Sequence, residues 1–390
     1  MPEPRLRCAI LYTRAGLQQQ VCAAQDPLHT AGAEKINAAS SAMATVSQEE
    51  GVTKKSRAAL GAGVLFTLLM MALPSAAELA AGSMDVKWNE GAEDCSKTAQ
   101  PPLQVHRYNE VTFILRENPC ATYEAPFMYL LVGSTRALLI DSGDVSDPQA
   151  MPLAQTVRSL LPAANFPLLV VHTHGHLDHR MGDGQFAGTA GVDVIGTSLQ
   201  EVTRALHLTD WPNGTSTLDL GGRTVDVIPT PGHHPSEVSY YDRATGLFFS
   251  GDFLLPGRLL IEDTAADFAS ARRVAQFLAD RPVSYVLGGH IELDQAGRTF
   301  LGVHHHPDER ALQLSKEDLF GLPDLVSGFN GFYGKRGIYI LENQNRVLAA
   351  LAAALIALLV AAGFGVRALI RRRRQRVARA KPGTALEPPR

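Results

Sequence analysis

Five side chains of metal-ligand type lie within eight positions directly after an apolar run, and this crowding constrains the fold more than any other feature. The run FPLLVV leads into HTHGHLDH, which contains His172, His174, His176, Asp178 and His179. Residues two apart in an extended backbone point the same way, so His174 and His176 can converge on one metal where the strand ends. Asp178 and His179 follow a bend that Gly175 permits, and they can turn toward a second metal.

Three further side chains of ligand type each follow a β-like run. They are His233 in VIPTPGHHPSE, Asp252 in LFFSGD and His290 in VSYVLGGH. Loops at the ends of strands are where binding and catalytic residues concentrate on a rigid scaffold. We therefore expect these three side chains to join the cluster at 174–179 in one site.

The chain between residues 103 and 345 alternates short β-like runs with amphipathic helical segments, which predicts one α/β domain. VTFILREN, FMYLLVGS, RALLIDSG and FPLLVVHTH indicate strands, whereas LQEVTRALHL and DFASARRVAQFLAD have helical spacing. HHHPDERALQLSKEDLFGLPDLV is partly helical in pattern, and RGIYILEN is predicted to be an edge strand. Residues 82–102 form a polar lead-in to this domain.

The H-x-H-x-D-H stretch and the three later positions resemble the metallo-β-lactamase-fold hydrolase superfamily over about Leu103 to His290. The resemblance implies an α/β fold, a four-layered αββα sandwich with a two-metal site at one edge of its sheets. It also implies two sets of ligands joined by a bridging carboxylate. His174, His176 and His233 would hold one metal, Asp178, His179 and His290 would hold the other, and Asp252 would bridge them.

The resemblance extends to residues around the ligands. Asp141 in LLIDSG stands where the family has an acidic residue, and it is expected to orient a ligand imidazole. Asp178 is expected to shuttle a proton as well as to bind metal. His234 and Glu237 replace residues that are usually small, and they are expected to shape the mouth of the pocket.

The ligand types point to two divalent cations. Imidazoles and carboxylates without a thiolate suit Zn first, with Fe and Mn as alternatives. Two such cations lower the pKa of a shared water, so that hydroxide is available near neutral pH to attack a carbonyl. The reaction implied is therefore metal-dependent hydrolysis of a small-molecule substrate.

The bridging aspartate narrows the choice within the superfamily. Its β-lactamases generally have Cys or Ser where this chain has Asp252, whereas ester, thioester and lactone hydrolases have Asp. The pattern is similar to hydroxyacylglutathione hydrolases, although their C-terminal helical domain is not recognisable here. Two alternatives stay open, a mononuclear iron sulfur dioxygenase and a non-catalytic membrane-tethered binding protein.

Two apolar segments frame the domain. The first, AALGAGVLFTLLMMALPSAAELAAG, follows a basic stretch and ends in small residues, which is typical of a signal peptide. Residues 1–81 are thus interpreted as leader and signal peptide, with Met43 as an alternative start because the leader is long. The second, within 347–370, is long enough to span a membrane, and a basic tail follows it at 371–390. This arrangement predicts a catalytic domain on the extracytoplasmic side, held at the cell membrane by one C-terminal span.

Charge and cysteine content add two further constraints. The net charge of -3 combines a basic tail with an acidic body, and an acidic body argues against nucleic acid as a partner. Cys95 and Cys120 fall in the exported part, where either a disulfide or two free thiols fits the sequence. The oligomeric state is left open.

Overall fold

The computed structural model describes residues 7–12, 18–23 and 78–380. Met43, residues 58–77 of the apolar segment in the predicted signal peptide and residues 381–390 of the predicted tail lie outside these residues. Seventeen strands are described: β1 (Arg7–Tyr12), β2 (Gln18–Ala23), β3 (Leu103–Asn109), β4 (Thr112–Glu117), β5 (Phe127–Val132), β6 (Ala137–Ile140), β7 (Leu168–Val171), β8 (Val192–Val194), β9 (Ser216–Asp219), β10 (Thr224–Pro229), β11 (Val238–Asp242), β12 (Leu247–Gly251), β13 (Arg258–Leu260), β14 (Tyr285–Gly288), β15 (Gln313–Leu314), β16 (Tyr333–Arg336) and β17 (Tyr339–Glu342). The α-helices are α1 (Leu153–Leu160), α2 (Leu199–Ala205), α3 (Thr264–Leu278), α4 (Lys316–Ser327) and α5 (Gln344–Ala380).

Two six-stranded mixed sheets form the body of the domain. Their strand orders are β3-β4-β5-β6-β7-β8 and β15-β14-β12-β11-β10-β9. Strands β6, β7 and β8 run parallel, as do β12 and β14, so their carboxyl ends share an edge. The loops that follow β7, β10, β12 and β14 carry the predicted ligands, which this topology brings to one end of the sheets.

Alternating side chains build three separate apolar layers. In β5, Phe127, Tyr129 and Leu131 face the second sheet, whereas Met128 and Leu130 face α1. Helices α3 and α4 cover the other side of the second sheet through residues such as Val274 and Leu322. The order helix, sheet, sheet, helix is the layered sandwich predicted from the sequence.

A small third sheet, ordered β13-β17-β16, corrects one prediction. RGIYILEN was expected to be an edge strand, but β17 pairs with β13 on one side and β16 on the other. The sequence does not predict its two neighbouring strands, because β13 has only three residues and β16 has the sequence YGKR. The three-stranded sheet leads directly into α5.

The predicted lead-in packs against the domain. Trp88 is buried and meets Phe127 edge to face, with ring centroids 4.9 Å apart. Cys95 is joined to Cys120 by a disulfide. The disulfide ties the lead-in to the loop between β4 and β5.

Helix α5 continues as one helix from the small sheet through the predicted span and into the basic tail. It is long and apolar enough to cross a membrane. Its apolar side chains, among them Leu351 and Leu359, are exposed.

Candidate metal centre

The structure brings all seven predicted ligands together where the parallel strands end. His174 and His176 follow β7, Asp178 and His179 lie in a short 3-10 turn (Leu177–His179), and His233 follows β10. Asp252 and His290 follow β12 and β14. Three clusters of side chains in this group have ligand atoms close enough to share an ion: His174, His176 and His233; His174, His179 and Asp252; Asp178, His179 and His290.

Three imidazole nitrogens converge in the first half of the site. His174 Nε2 lies 2.9 Å from His176 Nδ1, His233 Nε2 lies 3.0 Å from His176 Nδ1, and the two Nε2 atoms are 3.3 Å apart. Nitrogens bound tetrahedrally to one Zn²⁺ at 2.0–2.1 Å would be about 3.3 Å apart. The triangle therefore has nearly the size that one such ion requires.

The second half combines a carboxylate with two imidazoles. Asp178 Oδ2 lies 3.2 Å from His290 Nε2 and 3.5 Å from His179 Nε2, and the two imidazole nitrogens are 3.2 Å apart. Asp252 stands between the halves. Its Oδ1 lies 3.5 Å from His179 Nε2, and its Oδ2 lies 3.7 Å from His233 Nε2.

The fit to metal rests on two further observations. Asp252 Oδ1 is buried and has no hydrogen-bond partner among the described residues. A Cβ on Gly289 would lie 2.6 Å from that oxygen and 2.7 Å from His179 Cε1, so the glycine keeps the cradle open. A buried carboxylate oxygen without a partner is costly, and a cation removes that cost.

Hydrogen bonds from outside the site fix which imidazole nitrogen faces it. His233 Nδ1 donates to Leu260 O at 2.7 Å, and His290 Nδ1 donates to Glu124 O at 2.8 Å. Each bond leaves Nε2 directed into the site. These two carbonyls could not be predicted from the sequence, because any residue on a distant loop can supply a backbone acceptor.

Asp141 is hydrogen-bonded to one of the predicted ligands. Its Oδ2 accepts from His179 Nδ1 at 2.9 Å, and its Oδ1 accepts from the Thr173 N–H at 2.7 Å. The Thr173 hydroxyl also donates to Asp141 Oδ2 and contacts His174 Nδ1. Thr173 is thus a supporting residue that sequence reasoning missed.

The two residues expected at the pocket mouth have different positions. His234 is half-buried, with its ring centroid 5.2 Å from that of His176. Glu237 is fully buried, so the expectation for it was wrong. Burial, with Asp252 and Asp267 nearby, raises the pKa of Glu237 well above its usual value, and neither carboxyl oxygen has a partner among the described residues.

The halves also differ in charge. Burial, reinforced by His179 and His233, holds the pKa of His174 well below its ordinary value, so this imidazole is neutral at pH 7. Burial alone would lower the pKa of His290, but Asp252 and Asp178 raise it to about 10. Burial opposes ionisation of Asp178 as well, yet His179 and His290 hold the pKa of that carboxyl low. Neutral imidazole and ionised carboxylate are the forms that bind metal.

Comparison with known proteins finds the predicted superfamily over part of the chain. Residues 122–290 match the family model described as "Metallo-beta-lactamase superfamily". A hydroxyacylglutathione hydrolase of Anaeromyxobacter dehalogenans is 33% identical over 112 residues, covering 29% of this chain and 40% of that protein. Acyl-coenzyme A thioesterase MBLAC2 of Gallus gallus is 28% identical over 207 residues, covering 44% of this chain and 75% of that protein.

The coverage of the two relatives differs. The chain spans about two fifths of the hydroxyacylglutathione hydrolase that it matches. Among solved structures, a metallo β-lactamase from Erythrobacter litoralis has a TM-score of 0.44 and 15% identity, covering 60% of this chain and 99% of that chain.

Proposed function

We propose that this chain, whose residues 122–290 form a metallo-β-lactamase superfamily domain, is a membrane-anchored dinuclear metallo-hydrolase of esters, thioesters or lactones. The observation that carries the proposal is the position of Asp252, with one oxygen toward each ligand set. The two similar proteins named above are hydrolases of thioester type by name, which supports a carbonyl substrate.

The residues of the chain would have separate roles in this reaction. His174, His176 and His233 would hold one divalent cation, and Asp178, His179 and His290 the other, with Asp252 between them; Zn is the first choice. The bound cations would supply Lewis acidity and a hydroxide nucleophile near neutral pH. Asp141 and the carbonyls of Leu260 and Glu124 would hold the imidazoles in the required tautomers.

Asp178 is proposed to move a proton as well as to bind metal. Its side chain is the most exposed of the site carboxylates, at 22% against 13% for Asp252 and 1% for Asp141. Exposure on the solvent side lets Asp178 pass a proton to the leaving group. Asp178→Asn with both metals retained should lose turnover, and full activity in that variant would reject the shuttle.

The test of the hydrolase uses the full chain in detergent micelles. Metals per chain are measured by mass spectrometry. Hydrolysis of ester, thioester and lactone panels is assayed, and oxygen uptake is followed in parallel with an oxygen electrode. Two metals per chain and hydrolysis without oxygen uptake are expected. One Fe per chain with oxygen consumption would support a sulfur dioxygenase instead, and a metal-loaded protein inactive on every panel would support a binding protein.

Membrane anchoring is proposed from the length, composition and exposure of α5 and from the arginines that follow the apolar stretch. We infer that the domain is exported and that the basic end of α5 stays in the cytoplasm. Alkaline carbonate should leave the protein in the membrane pellet. Protease added outside intact cells or spheroplasts should cut the domain but spare an epitope fused after Arg390.

A further inference from the structure

The metal centre is connected to the start of the proposed span through a single pair of strands. His233 Nδ1 donates to the carbonyl of Leu260, the last residue of β13. Leu260 is paired with Glu342 in the parallel ladder of β13 and β17, and the Ile261 N–H donates to Glu342 O at 2.8 Å. Helix α5 begins two residues after Glu342.

The chain geometry limits the height of the site above the membrane. The apolar stretch of α5 begins at Val347, and its 20 residues match about 30 Å of hydrocarbon. Two extended residues and one helical turn separate Glu342 from Val347, which amounts to about 12 Å at most. The spacing between β17 and β13 and the width of the His233 imidazole make up the remaining distance to the site. Together these distances place the site roughly 20 Å from the hydrocarbon boundary.

Two exposed aromatic residues lie at the same level as the start of the helix. Phe332 and Tyr333 are 41% and 50% exposed. The Asn343 N–H donates to Phe332 O at 2.9 Å, and Tyr333 is paired with Glu342. The guanidinium of Arg346, in the first turn of α5, donates to Gly331 O at 2.9 Å, which fixes this loop against the helix. Aromatic side chains at the end of a span are typical of the membrane interface.

Apolar side chains also border the second half of the metal centre. A shallow groove next to His290 has a volume of only about 10 Å³, and it is lined by Tyr123, Ile291, Phe300 and Leu301 together with Glu124, Glu292, Thr299 and His306. Leu301 is 54% exposed, and Val303 beyond it is 43% exposed. The exposed Leu301 and Val303 side chains, rather than the groove itself, offer apolar surface to an acyl chain.

We propose that Phe332 and Tyr333 lie in the headgroup layer of the membrane that holds α5, and that the substrate is an amphipathic acyl ester or thioester taken from the same leaflet. This inference rests on the proposed hydrolase and on its anchoring. The short connection from His233 to α5 keeps the site at the membrane surface, where a lipid-phase substrate needs to rise only partly out of the bilayer. Confinement to one surface raises the effective concentration of such a substrate.

The first experiment measures membrane contact without using catalysis. Full-chain protein carrying Tyr333→Trp is placed in phosphatidylcholine vesicles with or without brominated acyl chains, and wild-type fluorescence from Trp88 and Trp211 is subtracted. Val111→Trp is the matched control, because Val111 is 44% exposed and lies before β4, at the end of that strand away from the site. Quenching of the Trp at 333 by at least about twofold, with little at 111, is expected. An unquenched Trp at 333 in carbonate-resistant protein would overturn the membrane contact.

The second experiment tests the source of the substrate. Vesicles containing the full chain receive 4-nitrophenyl palmitate either in the same bilayer or in separate vesicles, and soluble 4-nitrophenyl butyrate is the reference. Palmitate hydrolysis should be at least about tenfold faster in shared vesicles, whereas the butyrate rate should not change. The double variant Phe332→Ser/Tyr333→Ser should slow palmitate hydrolysis several-fold and leave the butyrate rate and the metal content unaltered.

The outcomes separate this inference from the hydrolase proposal. Equal palmitate rates in shared and separate vesicles, with butyrate hydrolysed, would overturn the lipid-phase substrate and leave the hydrolase standing. If the metal-loaded protein cleaves neither ester, nor any thioester or lactone presented in the same two ways, both the hydrolase and its lipid-phase substrate are rejected. The quenching result then decides the membrane contact on its own.

Discussion

The two halves of the candidate metal centre use different ligands and different supports. The first half has three imidazoles, and His233 is held by a backbone carbonyl on β13, beside the small sheet that leads into α5. The second half contains a carboxylate, and His179 is held by the buried Asp141 side chain. Its other imidazole, His290, is held by the loop that the disulfide ties to the lead-in.

This difference indicates that the halves can be perturbed separately. Metal binding in the first half depends on neutral nitrogen donors alone. In the second half, the Asp178 carboxylate also offsets one unit of the cation's charge. The residues that support the two halves lie on separate elements. A substitution at Asp141 or Cys120 should therefore affect the ligands of the second half before those of the first. Asp252 directs one carboxylate oxygen toward each half, so its removal should be the most severe change.

The largest effect is expected for Asp252→Ala. Removing the bridge leaves each half one oxygen short and also removes the charge that offsets His179 and His290. We expect kcat/KM to fall on the order of 1000-fold or more, because several kcal/mol of electrostatic stabilisation are lost. Metal content by mass spectrometry and steady-state kinetics test this. Asp183→Asn is the control, since that carboxylate bonds His172 and Ser142 and not the site. Two retained metals and wild-type rates in Asp252→Ala would refute a bridging role.

Substitutions within one half should empty that half alone. His176→Ala should reduce the metal content from two per chain to one by emptying the first half, and His290→Ala should do the same in the second half. Co²⁺ substitution makes the outcome visible, because the absorption spectrum of the remaining ion should differ between a three-imidazole site and one that contains a carboxylate. Identical residual spectra in the two variants would contradict the division into halves.

Opening the disulfide should act on the second half through the loop that carries Glu124. Cys95→Ser/Cys120→Ser is expected to lower the free energy of unfolding by about 2–4 kcal/mol, the usual range for a native disulfide. Loss of Glu124 O as a fixed acceptor should also weaken metal binding through His290 more than through His233. Chemical denaturation and stepwise chelation measure the two effects. The hypothesis fails if the variant loses its first-half metal first.

A smaller effect is expected for Asp141→Asn. The amide can no longer accept from His179 Nδ1 with a full negative charge, although its shape is retained. Supporting residues of this kind typically change metal affinity or activity by about 10- to 100-fold. Competition with a chromophoric chelator should show weaker binding in the second half and unchanged binding in the first. Equal weakening in both halves would mean that Asp141 supports the strand end as a whole.

The sequence predicted the seven clustered residues because each follows a strand with a strong apolar pattern, and strand ends are local features. The layered fold was implied by the family resemblance. The run FMYLLV is apolar throughout, so it indicates a strand covered on both faces, and only the structure shows which of its residues face which core. The central position of β17 was missed because its partner β13 is three residues long. Glu237 was misplaced because one sequence does not reveal which polar side chain turns inward.

The smallest effect concerns Glu117, a buried acid at the end of β4. Its Oε2 accepts from the Asp144 N–H at 3.1 Å, and Oε1 has no partner among the described residues. Burial raises the pKa of this carboxyl to about 8, above the 4.5 of an exposed glutamate. Between those values the folded protein holds a proton that the unfolded chain has released. Stability is therefore fully supported below pH 4.5 and is lost as the pH rises toward 8.

The Glu117→Gln variant has no carboxyl group to titrate at this position, so its free energy of unfolding should depend less on pH. Measured on metal-free protein by denaturation at pH 6, 7 and 8, wild type should lose about 1 kcal/mol or more relative to the variant over that interval, because each pH unit in the window is worth at most about 1.4 kcal/mol. Glu110→Gln is the control, since the Glu110 side chain is 89% exposed. Parallel pH profiles for wild type and Glu117→Gln would show that Glu117 is ionised in the folded protein despite its burial.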